Sequence, residues 1–145
     1  MATTGLEVFD KTLQTTNIWL DEIMEEIGPD RQLAWHVLGA VLQVLRDRLP
    51  LEVAIHLGAQ LPLLVRGTYY EQWHLGSHDA PIYRFEDLAE AVADQLGRSR
   101  PVNPATAIQA VFRTLARHVD GGQIAKVLAV LPASIRDALD AAAPG

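Results

Sequence analysis

Sliding residues 40–67 onto residues 110–137 without a gap brings seven of 28 positions into identity. The pairs are Ala40 with Ala110, Val41 with Val111, Leu45 with Leu115, Ala59 with Ala129, Leu61 with Leu131, Pro62 with Pro132 and Arg66 with Arg136. Apolar character survives where identity does not, as in Leu42 with Phe112, Leu49 with Val119, Leu57 with Val127 and Val65 with Ile135. Upstream, WLDEIMEEIG (19–28) matches LAEAVADQLG (88–97) after a one-residue shift. Two copies are too few for an open solenoid, whose repeats bury their faces only by stacking in series. The pattern therefore predicts two tandem units closed on one shared core, a pseudo-symmetric bundle.

The units are helical. Leu6, Phe9, Leu13, Leu20, Ile23 and Ile27 mark one stripe near a 3.5-residue spacing, with Thr16 in the remaining seat. Gly28-Pro29 stops this helix, and Asp30 caps the next, whose apolar face runs from Ala34 through Val37, Leu38, Val41, Leu42 and Leu45 to Leu49. Pro50 and Pro62 fit the first turns of a third and a fourth helix. GSHDAP (76–81) reads as a loop, and Phe85 to Leu96 as an amphipathic helix closed by Gly97. Asn103-Pro104 is an N-cap with a first-turn proline, and Ile108, Val111, Phe112, Leu115 and Val119 line the helix that follows. Asp120-Gly121-Gly122 turns the chain, and Leu131-Pro132 separates two last short helices. No strand alternation persists. The expectation is an all-α single domain of six to eight helices. Repeat one covers about 1–74, a loop 75–82 and repeat two about 83–142, with the stripes of both repeats buried together.

Composition narrows the function classes. The 145 residues are 49% apolar and 21% charged, as in a globular protein rather than a disordered one. With no cysteine, thiolate chemistry, thiolate metal sites and disulfides are excluded. No apolar run is long enough to span a bilayer, and MATTGLEVFD lacks the basic and apolar regions of a secretory signal. A cytoplasmic location is the natural expectation. Residues 1–30 hold seven acidic groups against Lys11 alone, so the whole formal charge of −6 resides there. Such a chain has no basic excess with which to release phosphate counterions, and nucleic acid is not an expected partner.

The segment QLPLLVRGTYYEQW (60–73) concentrates an arginine and three aromatics in a chain otherwise rich in aliphatics. Leu-Pro-x-x-x-Arg occurs in both copies, as Leu61-Pro62 with Arg66 and as Leu131-Pro132 with Arg136, which points to architecture. The Tyr-Tyr-x-x-Trp part has no counterpart, since the second copy carries Leu139, Asp140 and Ala143 there. Arg66, Tyr69, Tyr70 and Trp73 follow at spacings of three, one and three, which predicts one shared helical face. An arginine among aromatics is a common interface or ligand anchor, and equally a way to seal a seam between halves. HLGAQLPLLVRGTYYEQW, with WLDEIMEEIG before it and LARHVDGGQIAKVLAVLPASIR after it, resembles the prokaryotic domain-of-unknown-function family numbered 2267. The resemblance implies an all-helical, cytoplasmic bacterial protein and carries no activity or catalytic residues with it.

Other constellations are thin. His74, His78 and Asp79 have a spacing open to a divalent metal, but Gly76 interrupts them and no second local pair supports a site. Glu52 and His56 sit one turn apart, whereas the second copy has Gly122 and Lys126. Glu22, Glu25 and Glu26 cluster without a nucleophile or base. Gly97-Arg98-Ser99-Arg100 could greet a phosphate ahead of the next helix, or simply be a polar linker. No nucleotide or hydrolase fingerprint occurs. The expected function is therefore a non-catalytic interaction or adaptor module, without metal or cofactor, that binds another protein or itself through Arg66, Tyr69, Tyr70 and Trp73. The alternative is a regulatory protein holding a small molecule or anion between the repeats with Arg66 and Tyr70.

Overall fold

The computed structural model describes residues 4–74, 84–97 and 102–142, with side chains to 139. Among these residues there are eight helices and no strand. They are α1 (Glu7–Ile27), α2 (Arg31–Arg48), α3 (Leu51–Ala59), α4 (Leu63–Tyr70), α5 (Phe85–Leu96), α6 (Pro104–His118), α7 (Gly121–Val130) and α8 (Ala133–Ala142). The protein is an all-α bundle. The GSHDAP loop, His78, Asp79, and Arg98 to Arg100 lie outside the described residues.

Local chemistry sets most helix boundaries. Asp30 accepts from the Leu33 amide, Asn103 from those of Ala105 and Thr106, and Asp120 from that of Gln123, so three helices begin on side-chain caps. Gly28 and Gly97 end α1 and α5 at φ of 109° and 83°, a region that residues with a Cβ rarely enter. Pro50 and Pro62 stand at N-cap positions, one residue before the first turns expected of them, while Pro104 is inside its helix. Neither a cap nor a first-turn proline is asked for an amide, so sequence pattern does not distinguish the two places.

One core unites the helices. It joins Trp19 and Ile23 of α1 and Val37, Leu38, Val41 and Leu45 of α2. Leu57, Val65, Leu88 and Val92 extend it through α3, α4 and α5, and Ile108, Val111, Leu115, Val127 and Ile135 through α6, α7 and α8. Helix α1 packs on α2 and α6, α2 also on α5 and α6, and α3 on α7. Arg113 meets Glu26 at 2.8 Å and Arg117 meets Glu22 at 3.1 Å, so α6 runs antiparallel to α1. It ends at His118, whose Nε2–H donates to Glu22 over 2.5 Å and whose ring stacks on Trp19 with centroids 5.3 Å apart.

That ending leaves part of α1 uncovered. Thr16, Leu20 and Ile23 are buried, but Leu6, Phe9 and Leu13, which continue the same stripe, are 51%, 48% and 37% exposed. The expected burial of the whole stripe is thus corrected for its first three positions. They lie beyond the end of α6, the helix that covers the rest.

Candidate functional site

The segment singled out by its aromatics folds as α4 and the turn after it. Arg66 points back at the end of α3. Its Nε–H donates to the carbonyl of Gly58 (3.1 Å), and one terminal nitrogen donates to those of Ala59 (3.2 Å) and Leu61 (2.9 Å). These are carbonyls at the C-terminus of α3 and in the turn after it, where intrahelical partners run out, and a planar guanidinium fits several of them at once. Leu61 is buried in the turn and Pro62 opens α4, so Leu-Pro-x-x-x-Arg builds the α3–α4 corner. In the second copy Leu131 is buried and Pro132 precedes α8, but Arg136 makes no side-chain hydrogen bond to a described residue.

The aromatics do not form one exposed face. Tyr69 is fully buried, and its hydroxyl donates to the Ala54 carbonyl over 2.6 Å. Burial, reinforced by neighbouring Tyr70, raises its pKa well above the ordinary tyrosine value despite the lowering influence of Arg46. Tyr70 is half-buried against α3, its hydroxyl donating to the Ile55 carbonyl over 3.4 Å. A Cβ on Gly58 would overlap its phenol, so glycine there is what admits the ring. Trp73 lies past the end of α4, where Gln72 turns the chain at φ 56°. Its ring stacks on Tyr70 with centroids 5.6 Å apart. The expected face of four is corrected in this respect: Arg66 and the two tyrosines bind α3 along its last turns, and Trp73 stands beyond the helix.

The arginine that meets Trp73 is Arg46, which the sequence patterns did not single out. It is 5% exposed, and its guanidinium carbon lies 5.9 Å from the Trp73 ring centroid. One terminal nitrogen donates to the carbonyls of Tyr69 (2.8 Å) and Glu71 (2.6 Å), and its Nε–H to Asp47 Oδ1 (3.0 Å). Arg46 thus does for the end of α4 what Arg66 does for the end of α3. A signal existed: Arg46 faces Ala116 in the repeat alignment, so Arg46 and Trp73 are both features of the first copy alone.

Among the described residues, exposed apolar side chains occur on α3 (Leu51, Ile55), on α4 (Leu63, Leu64) and at Val130 of α7. At and along α1 they are Leu6, Val8, Phe9, Leu13 and Ile18. Their polar neighbours Glu7, Asp10, Lys11 and Gln14 surround a shallow open recess with Gly5. His74 is exposed, and no group of three metal-ligating side chains occurs among the described residues.

No curated protein matches the chain. A family model described as "Uncharacterized conserved protein (DUF2267)" matches residues 16–138, a span that holds Arg46, Arg66 and Trp73 and begins where α1 enters the core. The chain belongs to the DUF2267 family.

Proposed function

We propose that this chain is a non-catalytic cytoplasmic interaction module that docks on a partner protein through the overhanging first half of α1. The observation that carries the reading is the exposure of Leu6, Phe9 and Leu13 on the stripe whose later members are core. A helix face of this kind is complementary to an apolar face on another helix, set end to end with α6. The overhang precedes residues 16–138, the span matched by the family model. The two-repeat reading is supported by reciprocal packing, α1 of the first unit on α6 of the second and α2 of the first on α5 of the second.

The test is a photo-crosslinking amino acid at Phe9, introduced in cells, with products identified by mass spectrometry. Docking yields a discrete crosslinked species that disappears when Leu6 and Leu13 are changed to serine. The same variant should keep its melting temperature within a few degrees, since both side chains are already partly in water and lie outside the core. Crosslinks only within the monomer, or a product indifferent to those serines, refute the reading.

A further inference from the structure

A second recess is built by α2 and the C-terminal ends of α4 and α5, and it stands apart from the α1 overhang. It is a half-open cleft of about 250 Å³, walled by Trp35, Gly39, Gln43, Thr68, Glu71 and Gln95 among others. That size falls a little below the ~300–1,000 Å³ of drug-sized sites and suits a small polar molecule. The walls are held rigidly. Gln43 donates from Nε2 to the Thr68 carbonyl over 2.8 Å and accepts at Oε1 from Gln95 over 2.7 Å, which ties α2 to both other helices. Gly39 lets α4 approach, because a Cβ there would sit 3.1 Å from Thr68 Oγ1.

Among the described lining residues the formal charge has one sign. Glu71 is the carboxylate there, and no lysine or arginine occurs among them. Glu71 is exposed, and its carboxylate makes no hydrogen bond or ion pair to a described residue. The cleft also receives the ends of α4 and α5, where helix dipoles present partial negative charge. Arg46, behind the end of α4, is engaged with Asp47 and with the carbonyls of Tyr69 and Glu71. His36, also in the lining, holds its Nδ1–H on the Gln32 carbonyl at 2.8 Å. Trp35 lines the same cleft, and an indole together with a carboxylate is the pairing that recognises ammonium groups. The geometry points to a binding site for a small organic ammonium ion, with Glu71 as counter-ion, Trp35 as cation–π wall, and the Gln43–Gln95 pair as polar floor.

Choline and 1,4-diaminobutane are the probes, titrated separately into the full chain and followed by amide chemical shifts, with sodium acetate as the anionic comparison. The expected result is saturable shifts at Gly39, Gln43 and Gln95 with dissociation constants on the order of 1 mM or tighter. Glu71→Gln keeps the backbone carbonyl that Arg46 uses, so it should fold normally and weaken binding about tenfold or more. Leu6→Ser/Phe9→Ser/Leu13→Ser should leave binding unchanged, which separates this site from the α1 surface. Absence of saturation, equal shifts with acetate, or affinity retained in folded Glu71→Gln would each overturn the assignment.

Discussion

Replacing Arg46 by methionine tests whether one guanidinium holds the end of α4 in place. Methionine keeps most of the apolar stem, so the cavity contribution is small and the loss is chiefly that of the charged head. The Tyr69 carbonyl, buried and bonded at 2.8 Å, loses its donor at a cost of about 1–3 kcal/mol. The Glu71 carbonyl belongs to an exposed residue, and water replaces its lost partner at little cost. Loss of the cation from the Trp73 face removes about 0.5–1 kcal/mol, and separation from Asp47 about 0–1 kcal/mol. The expected destabilisation is roughly 2–4 kcal/mol, or roughly 4–16 °C in melting temperature at this chain length. The assay is urea unfolding followed by far-ultraviolet circular dichroism, with an unchanged m-value as the sign that only stability has moved. Arg46→Lys should recover less than half of the loss, because one ammonium cannot reproduce the planar fork. A loss below about 1 kcal/mol, or full recovery with lysine, would refute the claim that the guanidinium organises this corner.

Arg66→Ala should cost about 1–2 kcal/mol in urea unfolding, since three carbonyls lose a charged donor at a half-buried site, whereas Arg136→Ala should stay within about 0.5 kcal/mol. Equal losses would mean that the two matched arginines bear equal weight. Gly58→Ala should destabilise by about 1–3 kcal/mol through overlap with the Tyr70 phenol, and Tyr70→Ala in the same chain should relieve most of that strain, as a double-mutant cycle would measure. The raised pKa of Tyr69 means that the native state disfavours its phenolate. Its contribution is complete below the unfolded value of about 10 and is lost as pH rises beyond it. Stability should therefore fall above about pH 10, and less steeply in Tyr69→Phe, as urea midpoints across alkaline pH would reveal.

Helix punctuation was legible because it is local: Asp30, Asn103 and Gly97 act within a few residues of themselves. The Arg66 contact was legible in kind for the same reason, its acceptors lying five to eight residues upstream across one turn. Arg46 was not, because its acceptors Tyr69 and Glu71 are 23 and 25 residues away and only tertiary packing joins them. Spacing placed Arg66, Tyr69, Tyr70 and Trp73 on one face by assuming that α4 continues to residue 73, but it stops at Tyr70. Periodicity correctly grouped Leu6, Phe9 and Leu13 with Leu20 and Ile23. It reports which residues share a face, and whether another helix reaches that face depends on where α6 ends.

The pairing of α1 with α6 has a consequence for synthesis. Glu22 and Arg117 are 95 residues apart in the chain, so the apolar face of α1 leaves the ribosome long before the helix that covers it exists. At elongation rates of about 5–20 residues per second, this interval lasts roughly 5–20 s. During it, Trp19, Leu20 and Ile23 have only α2 and α4 of their own half to shelter against. For that time the nascent first half keeps apolar surface in water, the state in which chains aggregate. Its burial is timed by the emergence of residues 104–118, and a translational pause just before them would lengthen the exposure.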